Sequence, residues 1–549
     1  MITILKKIFF AFSRGERPVF WTALFLVAGS SLGLVLIFIT QKTVVVPTSG
    51  GDYTEGIAGQ PAYINPILAS TEADKTLVRL LFANLNELAD NVTPSQDAKT
   101  WDVRLKENIF WSDGEKLTSD DVIFTIQKIR DPETKSPLFS SWQGITPQRM
   151  SELEIQLKMT NPYAFFSENL ENLHILPKHL FVETPAANWN LSRYNLQPVG
   201  SGPYAFASYE NRPDGFITRY RLKANERYFK AKPMITNFNL EFFPNAGELI
   251  QSFNTGQIDG FAGIGPNDIS NIKRSYEEYA FTLPSYYAVF FNQNQNLALQ
   301  DGKVREALDA AVDRNAILAV ALDGKGNVSQ GPVSFLSSDI QPASSTASLE
   351  LANRILDNNG WRINSSSSIR QKKIKNTPVD LEFTLTVPQV SFLVDTAKEL
   401  QAEWLKAGIK VDINLIPLEQ TANDIIKNRN YQAILFGNVL NPDSDLFAFW
   451  HSSQRFYPGL NLSLYNNAKA DRLMTDIRQN PDASLREKEL SELQALIPND
   501  HPVIFLYSPY YLYFTRKDIY GVSSGLIDEP ADRFQNVSEW YLKTARVLK

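Results

Sequence analysis

Four polar side chains between residues 437 and 445 are the first candidates for binding chemistry. The segment reads Gly-Asn-Val-Leu-Asn-Pro-Asp-Ser-Asp and contains Asn438, Asn441, Asp443 and Asp445. Amides both donate and accept hydrogen bonds, and carboxylates accept them with a full negative charge. The set therefore suits a polar ligand, and an ordinary loop capped by Asp445 is the alternative interpretation.

The chain has few residues suited to metal binding or nucleophilic catalysis. The chain has no cysteine, which excludes disulfides and thiolates, and only four histidines: His174, His179, His451 and His501. His-Glu-x-x-His does not occur. We therefore expect no metal, no cofactor and no enzyme activity. Because carboxylate pairs leave no motif, a membrane-tethered hydrolase stays as a remote alternative.

The elements before residues 437–445 predict where this segment lies. Residues 379–387 alternate apolar and polar side chains as a strand does, and residues 409–415 and 431–436 read as two further strands. A helix after the first strand is predicted by one apolar face, comprising Ala397, Leu400, Trp404 and Leu405, with Gly408 just past its end. This order is typical of a parallel α/β sheet, whose ligands lie beyond the carboxyl ends of the strands.

The N-terminus has the pattern of a membrane anchor. Residues 19–39 contain no charge, and a helix of that length spans about 31 Å, enough for a bilayer core. Residues 1–18 carry a charge of +3, so we expect them in the cytoplasm, residues 19–40 in the membrane, and the body outside after a tether at 41–51. A cleaved signal peptide is the alternative.

Net charge and local signals complete the residue-level prediction. The whole chain carries –6, and a mildly acidic body argues against a nucleic-acid partner. Thr118 and Asp121 predict a capped helix start, the apolar spacing of residues 304–312 predicts an amphipathic helix, and residues 364–377 read as an exposed loop.

The segment 110–125, Phe-Trp-Ser-Asp-Gly-Glu-Lys-Leu-Thr-Ser-Asp-Asp-Val-Ile-Phe-Thr, resembles the signature of the family 5 solute-binding proteins. These are the peptide-, dipeptide- and nickel-binding subunits of ABC importers. Shorter similarities follow in the family's order along residues 50–515, among them residues 198–204, 254–259 and 461–466.

The resemblance implies a type II periplasmic-binding-protein-like fold with two α/β lobes. Residues 52–84, 191–284 and 502–549 would form lobe I, residues 85–190 an extra subdomain of lobe I, and residues 285–501 lobe II. Strands around residues 286–291 and 503–507 would be the hinge. The implied function is capture of oligopeptides by lobe closure for an ABC permease, by a receptor expected to be monomeric.

This resemblance adds candidate ligand contacts to the four polar residues of the segment 437–445. They are Trp450 and Asn461 beyond that segment, Trp142 in the subdomain, and Tyr286 and Tyr287 at the hinge. Each aromatic has core packing as its alternative, and His451, which follows Phe449-Trp450, reads as a surface histidine with ligand contact as the alternative.

The chain departs from the family at one position. Many peptide binders of this family carry an aspartate where this chain has Asn438, and that aspartate pairs with the ligand's α-ammonium. An amide supplies no charge, so the pairing energy is reduced. Either Asp443 or Asp445 substitutes, or the ligand is not a peptide with a free N-terminus. Two alternatives remain within the fold. The ligand could be an oligosaccharide, nickel or haem, or the protein could act as a sensor without transport.

Overall fold

The computed structural model describes residue 13 and residues 15–334, 348–440 and 445–548. Its strands, in chain order, are β1 (Thr43–Thr48), β2 (Asp52–Ala58), β3 (Ala89–Pro94), β4 (Thr100–Leu105), β5 (Ile145–Arg149), β6 (Glu154–Met159), β7 (Tyr204–Asn211), β8 (Ile217–Ala224), β9 (Asn237–Phe243), β10 (Gly260–Ala262), β11 (Glu277–Thr282), β12 (Ser285–Phe291), β13 (Gly326–Val328), β14 (Arg362–Ile363), β15 (Arg370–Ile374), β16 (Thr377–Asp380), β17 (Glu382–Pro388), β18 (Lys410–Ile416), β19 (Ala433–Val439), β20 (Val503–Thr515) and β21 (Lys543–Leu548).

The α-helices are interspersed among these strands. They are α1 (Glu16–Lys42), α2 (Glu72–Leu81), α3 (Leu85–Leu88), α4 (Ser119–Ile129), α5 (Phe139–Trp142), α6 (Phe166–Glu171), α7 (Lys178–Phe181), α8 (Ala246–Thr255), α9 (Leu297–Gln300), α10 (Gly302–Ala310), α11 (Arg314–Leu322), α12 (Leu349–Asn358), α13 (Ser391–Lys406), α14 (Leu418–Gln420), α15 (Phe447–Trp450), α16 (Ala468–Gln479) and α17 (Ala483–Asn499).

One long strand joins two halves of the main sheet. The order is β18-β17-β19-β12-β20-β10-β2-β9-β8-β7, and β11 and β13 also pair with β20. We call β10, β2, β9, β8 and β7 the first half-sheet, and β12, β19, β17 and β18 the second half-sheet. The start of β20 pairs with β12 and its end with β10. A separate sheet, β3-β4-β6-β5, lies in the segment that connects α3 to α6.

The three predicted strands and the helix after the first of them are confirmed in the second half-sheet. Strand β17 pairs in parallel with both β18 and β19, and α13 follows β17. Three details of the prediction were wrong. The predicted first strand is two strands, β16 and β17; Leu405 is 57% exposed and not part of the buried helix face; and the antiparallel β12 makes the sheet mixed.

Of the other local predictions, two were confirmed and one was wrong. Thr118 and Asp121 form the capping box at the start of α4, and the apolar residues of the 304–312 pattern are buried. The segment 364–377, expected to be an exposed loop, contains β15 and the edge of β16. Arg370 there is buried because its guanidinium donates to the carbonyls of Trp361 and Ala407.

The predicted anchor and tether are a helix and a paired strand. Residues 19–39 lie within α1, which leads into β1, and β1 pairs antiparallel with β21. Within the described part of the chain, no helix meets the length and hydropathy needed to cross a membrane.

Candidate functional site

The strand register makes the carboxyl ends of the two half-sheets face each other. Strand β10 is antiparallel to β20, with Gly260 opposite Thr515 and Ala262 opposite Tyr513, so β10 and its parallel neighbour β2 run toward the middle of β20. Strand β12 runs away from that middle, because Tyr287 is opposite Tyr507 and the pairing then proceeds toward Val503. The remaining strands β19, β17 and β18 run opposite to β12. Their carboxyl ends therefore lie near the middle of β20, on the opposite side from the carboxyl end of β10.

This arrangement places a ligand-type edge on each side of the chain crossings, and we call the region between the two edges the gap. In open α/β sheets, ligands bind beyond the carboxyl ends of the strands. Here two such edges meet, with the middle of β20 and the link from β11 to β12 as the chain crossings between them. A solute in this position touches both halves of the molecule at once.

Several polar contacts already bridge the two sides. The Asn267 amide, after β10, donates to the Ser391 hydroxyl at the start of α13 across 3.0 Å. Lys325 forms an ion pair of 2.6 Å with Glu278 on β11. The Asn267–Ser391 hydrogen bond joins groups from opposite sides of the crossing strands, and the Lys325–Glu278 ion pair lies beside β20, where the Tyr510 amide donates to the Lys325 carbonyl.

A third bridge joins the segment 163–165 to the second half, and we call it the 163–165 contact. The Ala164 amide donates to the Arg478 carbonyl at 2.7 Å, and the Tyr163 hydroxyl donates to Asp445 at 3.1 Å. Phe165 packs in one apolar cluster with Tyr286 and Trp450. This contact closes the gap from the side of the β3–β6 sheet.

Asn438 and Tyr286 are directly opposite each other on β19 and β12 and satisfy one another. The Asn438 amide donates to the Tyr286 hydroxyl at 2.8 Å, and both residues are at most 5% exposed. Burial raises the pKa of Tyr286, so its hydroxyl stays protonated.

Asn461 has the contacts of a structural residue. It is fully buried, its amide donates to the carbonyls of Trp450 and Tyr465, and its oxygen accepts from the Tyr465 amide and the Ser463 hydroxyl. All its hydrogen-bonding positions are thereby used. We do not include Asn461 in the proposed ligand site.

The candidate aromatics are packed against other rings. Trp450 is buried against Phe505 and Tyr465, and Trp142 is buried against Phe166. Tyr287 is half-buried and lies against Phe392 and Tyr507. A Cβ at Gly437, opposite Tyr287, would come within 2.8 Å of that ring, so β19 needs a glycine there. The structure thus brings Asn438, Tyr286, Trp450 and Asn461 together, and leaves Trp142 and Tyr287 in other clusters.

Of the acidic candidates, Asp445 is engaged by the protein itself. Its carboxylate accepts from Tyr163 and the Phe447 amide and pairs with Arg478 at 3.1 Å. Asn441 and Asp443 lie outside the described residues. The prediction that one of these aspartates meets a ligand therefore stays a prediction for Asp443.

The structure adds an acidic residue that the sequence analysis did not select. Glu72, the first residue of α2, accepts from the Tyr511 hydroxyl at 2.5 Å and pairs with Arg533 at 3.2 Å. Arg533 also pairs at 3.0 Å with Glu55, and both of these side chains are fully buried. Glu55 accepts in addition from the hydroxyls of Tyr53 and Tyr513. The only local signal for Glu72 is the capping box of Thr71 and Asp74, which marks a helix start and not a ligand site.

The flank of α2 carries a carboxyl that titrates near neutrality. Burial, together with the neighbouring charges of Asp532 and Glu171, raises the pKa of Asp528 to about 6. Arg79 opposes the shift without cancelling it. The surroundings of Asp528 are therefore short of positive charge.

We predict that Asp528→Asn stabilises the protein at pH 7.5 but not at pH 4. A raised folded-state pKa contributes stability below the unfolded pKa of about 3.9, and this contribution is lost as the pH rises through about 6. Discounted for solvent screening of this partly exposed group, the gain at pH 7.5 is about 1 kcal/mol or less. Melting temperatures measured across pH 4–8 test this prediction. An equal rise in the variant's melting temperature at pH 4 and at pH 8 would contradict it.

Comparison with known proteins identifies the chain's class. Residues 85–457 match the family model of the bacterial extracellular solute-binding proteins, family 5. The chain belongs to this family. Members of the family are substrate receptors and not enzymes, and the resemblance seen in the sequence is thereby confirmed. Within the described residues, no group of three or more metal-ligating side chains occurs.

Three relatives show how this family 5 protein compares with others. The oligopeptide-binding protein AppA of Bacillus subtilis is 27% identical over 514 residues, covering 88% of this chain and 92% of AppA. Its structure in complex with a nonapeptide aligns with a TM-score of 0.68 at 26% identity over 91% of this chain and 100% of that one.

Two further solved structures share the fold. The ABC transporter substrate-binding protein CtaP of Listeria monocytogenes has a TM-score of 0.76 at 21% identity, covering 90% of this chain and 100% of its own. NikZ of Campylobacter jejuni, in complex with Ni(L-His), has a TM-score of 0.70 at 24% identity, covering 89% and 99%. The predicted periplasmic-binding-protein architecture is confirmed by these likenesses.

Proposed function

We propose that this family 5 protein is a membrane-anchored, extracytoplasmic receptor that captures oligopeptides between two hinged lobes and delivers them to an ABC importer. The observation that carries the proposal is the gap between the facing carboxyl edges, in a chain 27% identical to an oligopeptide-binding protein. Nothing in this function requires bond breaking. The ligand favours the closed form through its differential affinity for the closed and open states.

The lobes are proposed with the boundaries that the resemblance implies. Lobe I comprises residues 52–84, 191–284 and 502–549, with residues 85–190 as its subdomain, and lobe II comprises residues 285–501. This division is supported by the half-sheets, because β20 passes from one to the other and the link from β11 to β12 does the same. Closure then forms the 163–165 contact between the subdomain and lobe II.

Peptides suit such a gap because their backbones present regularly spaced donors and acceptors. Main-chain hydrogen bonds to strand-like segments give affinity without demanding a particular sequence. Val439, the last residue of β19, is 64% exposed at the facing edge. Its side chain is therefore available to a bound solute.

Anchoring is proposed from the sequence and from the exposure of α1. Residues 19–39 contain no charge, and the side chains of Val19, Phe25, Leu26, Leu32 and Leu34 on α1 are each more than 60% exposed. Lipid is the medium in which such a surface is favourable. The basic residues before α1 favour a cytoplasmic N-terminus and place the binding body outside.

Metal or sugar ligands are the alternatives, and the nickel alternative has the weaker support. His451 stacks on Phe447, and His179 contacts Asp113 at 2.8 Å. Burial lowers the pKa of His174 to about 3. These histidines are dispersed and do not converge on the gap.

Native mass spectrometry of the full chain, purified in detergent without denaturation, tests the proposed ligand class. We expect a heterogeneous set of bound masses that fragment as short peptides. A single metal or oligosaccharide mass would redirect the ligand class, and cleaved peptides accumulating with time would contradict a receptor function.

A further inference from the structure

Glu72 presents one carboxylate oxygen that the protein does not use. Its Oε1 atom accepts from Tyr511 and Arg533, whereas no donor among the described residues lies within hydrogen-bonding distance of Oε2. About 35% of the side chain is exposed. Glu72 lies in the first turn of α2.

The free oxygen lies at the carboxyl edge of the first half-sheet. Gly263 directly follows β10 and has a φ of +77°, which favours glycine. A Cβ built on Gly263 would be 3.7 Å from Glu72 Oε2, so the glycine keeps the space beside this oxygen open. Tyr511, which holds the other oxygen, lies just past the middle of β20. Glu72 Oε2 therefore borders the proposed ligand gap.

Two other carboxylates near the gap, Asp74 and Asp445, are already occupied. Asp74 accepts from the amides of Ala62, Tyr63 and Thr71, which holds the loop after β2 in place. Asp445 is held by the 163–165 contact. Glu72 differs from both because one of its oxygens is left for an outside donor.

The charge around Glu72 favours a positive ligand group. Arg533 is shared between two carboxylates, Glu55 and Glu72. Further along α2, Lys75 and Arg79 each already pair with an acid, Glu529 and Asp532 respectively. A cation bound here gains attraction without displacing an existing ion pair.

We infer that Glu72 Oε2 binds a primary ammonium group of the captured peptide. This inference rests on the proposed peptide-binding function. Two parts of a peptide carry this chemistry, the N-terminal amine and the lysine side chain. A charge-assisted hydrogen bond to a fixed carboxylate is stronger than a neutral one and so selects for that group.

Binding of synthetic nonapeptide libraries to the full chain in detergent distinguishes the two sources. One library lacks lysine and has free N-termini, the second is the same library N-acetylated, and the third is N-acetylated and contains lysine. Calorimetry gives an apparent Kd for each. For an N-terminal source, we expect acetylation to weaken binding at least tenfold. For a lysine source, we expect the third library to bind at least tenfold more tightly than the second.

Either difference should shrink to twofold or less in Glu72→Gln. Glu226→Gln, which removes an exposed carboxylate paired with Lys232, is the matched control and should behave as the wild type. Equal binding of all three libraries to the wild type overturns the inference while leaving peptide capture intact, and this result needs no variant to fold. A difference retained in folded Glu72→Gln also overturns it. Failure of every library to bind the wild type overturns both the inference and the proposed function.

Discussion

Replacing Arg533 with methionine is expected to lower the free energy of unfolding by about 3–5 kcal/mol, because it leaves a buried carboxylate without its partner. Arg533 and Glu55 are fully buried and 3.0 Å apart. Burial raises the pKa of Glu55, and the guanidinium opposes this shift. Without Arg533, Glu55 must either take up a proton or remain as an unpaired charge.

Chemical denaturation of the full chain in detergent measures this loss, with fluorescence as the probe because Trp540 lies against Tyr53 and Tyr513 of the same network. The loss should be smaller at pH 5 than at pH 8, since protonation removes the unpaired charge. The double variant Arg533→Met with Glu55→Gln is the control and should recover part of the stability. A loss below about 1 kcal/mol, as for an exposed ion pair, would contradict the network's role.

Asn461→Ala is expected to destabilise the protein by about 3 kcal/mol or more. The substitution leaves the carbonyls of Trp450 and Tyr465 and the amide of Tyr465 without partners in a buried site, and each such group costs about 1–3 kcal/mol. Peptide affinity of the folded fraction should stay within about twofold of the wild type, because no ligand contact is removed.

Asn461→Asp is the matched test of this reasoning. It keeps the side chain's size but replaces the donating amide with an oxygen that faces two carbonyls, so it should be no more stable than Asn461→Ala. Denaturation midpoints together with calorimetry distinguish the two roles. A large affinity loss with an unchanged midpoint would assign Asn461 to the ligand site instead.

Repetitive patterns in the sequence predicted the second half-sheet well. The alternation in residues 379–387 and the apolar face of α13 report on burial, which local sequence encodes directly. The antiparallel β12 could not be inferred in this way, because its neighbours are set by pairing with residues more than 140 positions away. The exposed side of Leu405 was missed because an apolar residue at the helix edge fits either environment.

The candidate site was harder to predict, since identity alone does not separate a ligand contact from a structural one. Asn438 and Asn461 are polar residues of the kind that binds solutes, yet both are buried and hydrogen-bonded to protein groups. Glu72 reads in sequence as an ordinary first-turn acid. Its free oxygen becomes visible only through Tyr511 and Arg533, which are more than 430 positions away in the chain.

Distance measurements across the gap test most directly whether the two halves close on a ligand. The native chain has no cysteine, so spin labels can be attached to cysteines introduced at two exposed positions, Thr160 beside the 163–165 contact and Glu487 on α17. Electron–electron double resonance should show a broad, long distance distribution in the ligand-free protein, which becomes shorter and narrower when peptide saturates it. An identical distribution with and without bound peptide would contradict capture by closure.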